Sequence, residues 1–385
     1  MSRFRVVVIT FVVLTVSAGV MAAKAPNAPL WLVGTAYARG SLANYDGAIY
    51  KCIYAHTAMP GWEPPKLPGL WQPMNATGTG MPSSDKTRGA AWKRTRRMFA
   101  PYIHMTEANN DLAAIQAGSG VKFFTLAFIV ADDGCAPAWQ GKTLLTIASE
   151  NRFSSHIKRI RAVGGDIIIS FGGYVGQELA QACPDAASLQ VTYQAVVDKY
   201  NVNRLDFDVE ASAVNDPASI DRRSQALKAL AAVNPGLRIS FTLPAFPTGM
   251  PQPALNVLKS AVSIGTPVAV VNIMTMDYGY TVPDGNMGPA AISAATSALT
   301  QLQSLGLQVG VGITPMIGMN DSAGENFTPA DARMVLNYAR GNRDVVLLSM
   351  WSLGRDNGSC AGKLSPTCSG IAQRPWEFSH IFHAF

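Results

Sequence analysis

The stretch RLDFDVE, at Arg204–Glu210, determines how the rest of this chain is interpreted. Apolar and acidic residues alternate along it, which is the period of a β-strand whose side chains point to opposite faces in turn. The acidic residues Asp206, Asp208 and Glu210 therefore share one face, and the apolar residues between them share the other. We expect a buried strand that carries its carboxyl groups toward its C-terminal end.

Neighbouring carboxylates on a buried face have a chemical consequence. Burying like charges side by side is costly, so such a set is stable only when its members share protons. One carboxyl group then holds a proton near neutral pH, as a general acid must. Glu210 is the outermost member and has the longest side chain, so we predict that it is the proton donor.

Two other interpretations of this stretch fit the sequence less well. Asp-x-Asp repeats bind metal ions in calcium loops, but those loops need a glycine turn, and this stretch is a strand with apolar neighbours. The acids could also lie on a solvent-exposed strand, which parallel α/β sheets rarely contain because both faces are covered. We therefore expect no metal ion and no organic cofactor.

Apolar runs and amphipathic patterns alternate through residues 92–385. Near-continuous apolar runs are typical of strands covered on both faces, and they occur at Phe99–Met105, Lys122–Val130, Asp166–Gly172, Arg204–Glu210, Leu237–Leu243, Val268–Met276, Val309–Pro315 and Val345–Trp351. Helical patterns lie between most of them, among others at Thr143–Val163, Ala187–Tyr200, Ile220–Ala232, Ala290–Leu305 and Pro329–Arg340. This alternation predicts an α/β fold, a (β/α)8 TIM barrel whose active site lies at the C-terminal ends of the strands. A doubly wound open sheet is the second choice, and no glycine-rich phosphate loop follows the first strand to support it.

Residues 28–74 have a different composition. Tryptophan and tyrosine are frequent there, and turn signals at Gly40, Asp46-Gly47 and Pro60-Gly61 separate short strand-like runs. We expect a small all-β module. Residues 75–91 are rich in Thr, Ser, Gly and Pro, which predicts a flexible linker between the module and the barrel.

The N-terminus has the pattern of a secretion signal. Arg3 and Arg5 precede the short apolar stretch Val6–Val16, and small residues follow up to Ala22. We expect residues 1–22 to be removed near Ala22 and the protein to be secreted, with no segment that enters a membrane. The net charge of +6 would fall to +4 without the two arginines and is not clustered, so nucleic-acid binding is not expected.

Export favours disulfide bonds among the five cysteines. Cys360 and Cys368 flank a short polar loop, and we expect them to pair. Cys135 and Cys183 follow the second and third predicted strands, so both would lie near the same rim of a barrel, and we expect them to pair as well. Cys52 would then be unpaired.

Four motifs together resemble glycoside hydrolase family 18, the chitinases. Asp206–Glu210 is similar to the DxxDxDxE signature of that family, and Ser170 with Gly172 and Gly173 is similar to its SxGG motif. Met274–Asp277 has the place of its MxYD motif, and Trp351 has the place of the tryptophan beneath the bound sugar. The resemblance extends from Tyr102 to Trp351 and implies a chitinase barrel.

The chain departs from the family pattern at two positions. Asn203 replaces the first aspartate of the signature, which is the position furthest from the sugar. Met276 replaces the family tyrosine that hydrogen-bonds the substrate acetamido group. Tyr278 follows two residues later, so we expect that either Met276 or Tyr278 occupies this place.

The small module resembles a chitin-binding type-3 domain through its aromatic residues and the GWEP and LWQ segments. The resemblance implies that Trp62, in a Pro/Gly-rich loop, is an exposed ring that lies on chitin, with Pro64 beside it. It also implies that Trp71 and Tyr37 belong to the core of the module.

The resemblance implies a retaining, substrate-assisted mechanism. Glu210 would protonate the glycosidic oxygen, and Asp208 would orient the acetamido group of the sugar, whose carbonyl forms an oxazolinium ion. Asp206 would hold Asp208, with Ser170 as its partner. Asp277 and Trp351 would contact the sugar in the −1 site, and Tyr102 would be a wall or core residue.

The expected partners are chitin and N-acetylglucosamine oligosaccharides, and we expect a monomer. About 30 residues separate the last two predicted strands and show no inserted domain, which favours a shallow groove and endo-acting cleavage. Two other functions are compatible with the same barrel. A chitin-binding lectin would normally lack Glu210, and an endo-N-acetylglucosaminidase acting on glycoproteins or peptidoglycan would not need the chitin-binding module.

Overall fold

The computed structural model describes residues 28–67, 69–74, 97–107, 112–279, 282 and 286–385. The expected signal sequence at 1–22 and the expected linker at 75–91 lie outside the described residues.

The N-terminal module is a small β structure, as predicted. Its strands are β1 (Ala36–Tyr37), β2 (Leu42–Tyr45), β3 (Ala48–Cys52), β4 (His56–Thr57) and β5 (Trp71–Pro73), and a 3-10 helix spans Pro64–Lys66. Strands β2, β3 and β5 form an antiparallel sheet, and β1 pairs with β4. Asp46 and Gly47 both have positive φ in the β2–β3 hairpin, which is the backbone that an Asp-Gly turn favours. Tyr37 and Trp71 are buried, so the prediction that they belong to the core is confirmed.

The larger region is an α/β structure. Its strands are β6 (Met98–Phe99), β7 (Tyr102–His104), β8 (Phe123–Ala131), β9 (Pro137–Trp139), β10 (Asp166–Gly172), β11 (Arg204–Asp208), β12 (Arg238–Pro244), β13 (Val268–Met274), β14 (Gly310–Thr314), β15 (Gly318–Met319), β16 (Asn326–Phe327) and β17 (Val345–Leu348). Its helices are α1 (Leu112–Ser119), α2 (Arg152–Ala162), α3 (Leu179–Ala182), α4 (Ala186–Tyr200), α5 (Pro217–Val233), α6 (Gln252–Ile264), α7 (Met287–Ser304), α8 (Pro329–Gly341) and α9 (Glu377–Phe382). Further 3-10 helices span Thr143–Leu145, Ala213–Asn215 and Leu353–Arg355.

One sheet organises this region. Its strands follow the order β6-β17-β14-β13-β12-β11-β10-β8-β7, with parallel pairing throughout, and β9 adds an antiparallel partner to β8. Strands β6 and β7 are neighbours in sequence but lie at the two ends of this order, so the sheet is curled. All parallel strands send their C-terminal ends to the same edge, where the acidic residues of β11 lie.

Strand β11 shows why the sheet is covered on its outer face. Leu205, Phe207 and Val209 are fully buried on the side of the helices. The Phe207 ring stacks on Phe171 at 5.1 Å and meets the edge of Tyr193 from α4 at the same distance. Burial of these rings removes apolar surface from water and fixes the register of the strand, which turns the alternate acidic residues inward.

The helix expected at Thr143–Val163 is wrong in its first half. The chain forms a 3-10 turn at Thr143–Leu145, and α2 begins only at Arg152. The carboxylate of Glu150 accepts a hydrogen bond from the amide of Phe153, so this side chain satisfies a free N–H at the beginning of a new helix. Between β14 and α8, where a plain loop was expected, β15 and β16 form a short antiparallel ladder.

The module lies against the helices of the larger region. Asn286, immediately before α7, accepts a hydrogen bond from the Thr57 amide at 3.1 Å and donates one to the Thr57 carbonyl at 2.8 Å. The ring of Tyr54 meets Tyr338 of α8 edge to face at 6.3 Å. Gly69 is so close to α7 that an added Cβ would lie 2.7 Å from the Cα atom of Ser293. The module is therefore docked on α7 and α8.

The prediction that Trp62 is an exposed ring is wrong. Its side chain is only 2% exposed, and Pro64 is buried as well. The Trp62 ring lies 6.0 Å from the ring of His56, which precedes the docked residue Thr57. The Pro/Gly-rich loop folds back beside the docking segment, so its composition did not guarantee exposure. Trp62 belongs to the core of the module.

The expected disulfide bonds Cys135–Cys183 and Cys360–Cys368 are both present, and Cys52 is a buried free thiol. Within the described part of the chain, no helix is both long and apolar enough to cross a bilayer.

Candidate active site

The acidic residues of β11 lie at the C-terminal edge of the sheet, as predicted. Asp206 and Asp208 are 2% and 5% exposed, and Glu210 follows the strand as a partly buried residue. The amide of Val209 donates to the carbonyl of Thr242 at 3.0 Å, which extends the pairing with β12 beyond the end of β11. This pairing holds the carboxyl groups at successive heights toward the rim.

Asp206 is surrounded by hydroxyl donors. Oδ2 accepts hydrogen bonds from Ser170 at 2.7 Å and Tyr102 at 2.8 Å, and Oδ1 accepts from Ser240 and Thr242 at 2.8 Å each. Burial raises the pKa of Asp206, while these four hydroxyl groups lower it by stabilising the carboxylate. The predicted contact between Ser170 and Asp206 is confirmed.

Asp208 has the opposite environment. Its Oδ1 is buried and has no hydrogen-bond partner among the described residues. Burial raises the pKa of Asp208 well above its ordinary value, and the charges of Glu210, Asp206 and Glu178 raise it further. Because Oδ1 has no donor within the described part of the chain, Asp208 is suited to hold a proton or to accept a hydrogen bond from a bound ligand.

Glu210 has the protonation behaviour of a general acid. Burial raises its pKa to about 7, and the nearby charge of Asp277 contributes in the same direction. A carboxyl group with this pKa is protonated in a large fraction of molecules at neutral pH, and it can also act as a base after it has lost the proton. The raised pKa has the direction expected for one member of the acidic set, and the role of Glu210 as the proton donor stays a prediction.

The two glycines after Ser170 allow β10 to approach β11 closely. At Gly172, where φ is +90°, an added Cβ would lie 2.2 Å from the carbonyl oxygen of Asp208. At Gly173, where φ is +85°, it would lie 2.7 Å from the ring of Phe128. The amide of Gly173 donates a hydrogen bond to the same Asp208 carbonyl at 3.0 Å. These glycines therefore position the backbone of Asp208.

Aromatic rings form one wall beside the carboxyl groups. Trp351 is partly exposed, and one face of its ring stacks on Phe128 at 5.5 Å with 16° between the planes. The rings of Tyr102 and His104 lie 6.0 and 6.4 Å from it. Trp351 and Tyr102 are thus brought together, as expected for a surface on which a sugar could stack.

The segment after β13 lies next to these groups. Met274 ends the strand, and Met276 and Asp277 are partly exposed beyond it. Asp277 has a φ of +50°, and its Oδ1 accepts a hydrogen bond from the amide of Ser322 at 2.8 Å. Tyr278 is 4% exposed, so this ring is buried more deeply than Met276.

Several contributors to the site were not predicted from the sequence. Four lie on neighbouring strands and contact the acidic residues, their hydrogen-bond partners or the aromatic wall, and the fifth precedes α3 and acts on Asp208 through its charge; in this order they are Ser240, Thr242, Asn272, Phe128 and Glu178. Ser240 and Thr242 alternate with apolar residues along β12, in the same period that identified Asp206 and Asp208 on β11. This period could have identified them as inward-facing. Among the described residues, no group of three or more His, Cys, Asp or Glu side chains could hold a metal ion.

A raised-pKa glutamate, two buried aspartates and an aromatic wall at the C-terminal edge of a curled parallel sheet define the class of glycoside hydrolases. Comparisons with known proteins agree with this class. Residues 30–72 match the carbohydrate-binding module family 5/12. A probable bifunctional chitinase/lysozyme from Escherichia coli is 34% identical over 93% of this chain, and the chain spans 41% of the length of that relative.

Solved structures give the family. The catalytic domain of a hyperthermophilic chitinase from Pyrococcus furiosus is 33% identical with a TM-score of 0.68, and the match covers 75% of this chain and 94% of that domain. A family GH18 chitinase from Chromobacterium violaceum, at 19% identity and a TM-score of 0.51, shares the fold over 93% of this chain and 99% of that one. The chain belongs to the glycoside hydrolase family 18 chitinases and carries an N-terminal carbohydrate-binding module.

Proposed function

We propose that this chain hydrolyses the β-1,4 linkages between N-acetylglucosamine units of chitin, with Glu210 as the proton donor. The observation that carries the proposal is the pKa of about 7 that burial and Asp277 give to Glu210, directly above two buried aspartates. The similarity to the Pyrococcus furiosus chitinase domain supports chitin as the substrate.

The reaction would be substrate-assisted. Glu210 gives its proton to the glycosidic oxygen, and the bond between this oxygen and the anomeric carbon breaks. The acetamido carbonyl oxygen of the −1 sugar bonds to the same carbon and forms an oxazolinium ion. Asp208 supports this step because its Oδ1 has no partner among the described residues and could accept the acetamido N–H. Water then gives a proton to Glu210, attacks the anomeric carbon and opens the ring with net retention.

The remaining residues would bind and position the substrate. Trp351 would stack beneath the −1 sugar, since one face of its partly exposed ring is already packed on Phe128. Asp277, on the rim, would hydrogen-bond this sugar. Asp206, with its four hydroxyl donors, would hold Asp208 in position. The other proposed lining residues are Met274, Met276, Tyr278, Gly172 and Gly173.

We further propose that the curled sheet is a (β/α)8 barrel. The amides of Ala100 and Tyr102 donate to the carbonyls of Leu348 and Met350, while β7 pairs with β8 on its other side. These hydrogen bonds support a sheet whose first strand joins its last.

The module would anchor the enzyme to insoluble chitin, which its carbohydrate-binding family supports. The protein would be secreted after cleavage near Ala22 and would act as a monomer. The short segment between β14 and β17 supports a shallow groove and endo-acting cleavage.

The test is a product analysis with the full chain. Incubation with a chitin hexamer should release shorter oligomers, and NMR taken within minutes should detect the β-anomer first, as retention requires. A first product of α configuration would reject the substrate-assisted mechanism, and absence of any product would reject chitin hydrolysis. Because the Escherichia coli relative is described as bifunctional, peptidoglycan is the second substrate to test. Faster release from peptidoglycan than from chitin would favour that alternative.

A further inference from the structure

A buried ion pair lies beside the carboxyl groups but takes no part in the reaction described above. Glu178, immediately before α3, is 5% exposed, and Arg223, from the middle of α5, is 0% exposed. Nε of Arg223 donates to Oε1 of Glu178 at 2.7 Å, and Nη2 donates to Oε2. The two residues therefore form a bidentate pair that is removed from solvent.

A contribution to stability does not explain why this ion pair is present. Removing two charges from water costs more than their attraction returns unless every remaining donor is satisfied. Nη1 of Arg223 is buried without a hydrogen-bond partner among the described residues, and so is the hydroxyl group of the neighbouring Tyr193. Replacing a buried ion pair by apolar residues of similar volume is often neutral or stabilising, so the charges call for another explanation.

The position of Glu178 gives that explanation. A Cβ placed on Gly172 would lie 3.7 Å from Cγ of Glu178 and 2.2 Å from the carbonyl oxygen of Asp208. Glu178 and the Asp208 backbone thus both lie beside Gly172, at a position where no side chain fits. The Glu178 charge is one of three that raise the pKa of Asp208, after those of Glu210 and Asp206.

We propose that Glu178, held by Arg223, is a positioning residue that keeps one proton on the Asp208–Glu210 pair up to neutral pH. A fixed negative charge beside the pair opposes loss of the second proton. Arg223 supplies the counter-charge that a buried carboxylate needs. The inference rests on the proposed function, because it assigns a role to Glu178 through the proton that Glu210 donates.

The other charges around the pair do not replace Glu178. Asp206 and Glu210 act on Asp208 along the same strand, and Asp277 acts on Glu210 from the rim. Asp206 already receives four hydroxyl hydrogen bonds, and Asp277 belongs to the proposed sugar site. Glu178 has its charge fixed by a partner that touches no part of that site.

The experiment compares the pH dependence of kcat/KM for a soluble chitin oligomer in the full-length protein and its variants. In Glu178→Gln the negative charge is lost, so the pair gives up its proton more easily. The alkaline limb of the pH profile of kcat/KM should move to lower pH by about one unit. At pH values above this limb, kcat/KM should therefore be about tenfold lower than in the wild type. Glu178→Asp keeps the charge and should keep the limb of the wild type. An unchanged limb in folded Glu178→Gln would overturn the proposal.

Two further variants separate a charge effect from a loss of structure. Glu178→Gln leaves Arg223 buried without its counter-ion and could unfold, so Glu178→Leu combined with Arg223→Met removes both charges and should show the same direction of shift. Glu150→Gln is the matched control. Glu150 is a buried carboxyl group that accepts from Tyr200 at 2.9 Å, and its loss should reduce stability and leave the limb in place.

A readout without turnover distinguishes this inference from the proposed function. Carbon-13 NMR of aspartate carboxyl groups, with Asp208→Asn to assign the signal, should show Asp208 ionising at lower pH in both Glu178 variants that lose the charge. If the wild type released no product but this shift occurred, the proposed function would fail and the inference would stand. If the Asp208 signal titrated identically in all variants, the inference would be rejected.

Discussion

The hydroxyl group of Tyr102 on β7 donates a 2.8 Å hydrogen bond to Oδ2 of Asp206 on β11. These residues are 104 positions apart in the sequence, and the curled sheet brings them together. Through this bond β7 takes part in holding the carboxyl groups, and Tyr102 gains a role that the sequence left undecided between wall and core.

Tyr102→Phe should reduce activity because Asp206 loses one of its hydroxyl donors. A hydrogen bond to a charged group contributes about 1.5–3 kcal/mol, so kcat/KM should fall roughly tenfold to a hundredfold. The matched control is Tyr200→Phe, which also removes a buried hydroxyl donor from a buried carboxyl group, Glu150. Steady-state rates and thermal unfolding should show both variants destabilised and only Tyr102→Phe slowed. Equal rates in the two variants would contradict the role of Tyr102.

Glu210→Gln should leave oligomer binding intact and remove nearly all hydrolysis, because glutamine cannot donate the proton. Single-turnover rates and isothermal titration with a chitin oligomer measure the two properties separately. A variant that kept more than a small fraction of the activity would show that another residue is the donor.

Stability should depend on pH through Glu210. Burial raises its pKa from 4.5 to about 7, so the folded state binds the proton more tightly than the unfolded state. This contribution to stability is fully present below pH 4.5 and is lost as the pH rises through about 7. Thermal unfolding measured at both ends of this pH range gives the change in Tm between them. This fall in Tm with rising pH should be smaller in Glu210→Gln than in the wild type. Identical losses would contradict the raised pKa.

Gly172→Ala should damage the site more than its backbone strain alone explains. The new Cβ would lie 2.2 Å from the Asp208 carbonyl at a φ of +90°. Gly164→Ala is the control, because Gly164 has a φ of +80° and no atom within 4 Å of an added Cβ. Both variants carry a strain of about 1 kcal/mol, and only Gly172→Ala should also lose activity, as judged by kcat on a chitin oligomer. Similar activities would show that the Asp208 backbone tolerates displacement.

Trp62→Ala should destabilise the N-terminal module, because a buried large side chain is removed at a cost of about 3–5 kcal/mol. Trp62→Phe should be milder, since the ring packing near His56 is largely kept. Near-ultraviolet circular dichroism and chitin adsorption should therefore change together. Lost adsorption with unchanged stability would instead restore the interpretation of Trp62 as an exposed contact ring.

Asn286→Ala should loosen the module from α7, because both hydrogen bonds to Thr57 are lost. Small-angle X-ray scattering should show a larger radius of gyration while the rate on soluble oligomers is unchanged. Asn256→Ala on the exposed side of α6 is the control and should leave the scattering unaltered. If Asn286→Ala scattered like the wild type, these two hydrogen bonds would not hold the module in place.

The sequence by itself determined the local features of this protein. The alternation along Arg204–Glu210 established a strand with acidic residues on one face, because a period of two requires no knowledge of distant residues. The bounds of β10 followed from a similar local pattern, whereas the pairing of Cys135 with Cys183 also required the predicted barrel, which brings both residues to one rim. The sequence also identified the aromatic module and the proton donor as a hypothesis.

Only the tertiary structure decided how distant residues modify one another. Glu178 and Arg223 form a pair through α3 and α5, and their effect on Asp208 depends on a close approach at Gly172. Trp62 is buried because its loop folds back beside a docking surface made by helices more than two hundred residues further along the chain. Burial and electrostatic shifts depend on which surfaces meet in three dimensions, and neither is encoded in the composition of a single loop or strand.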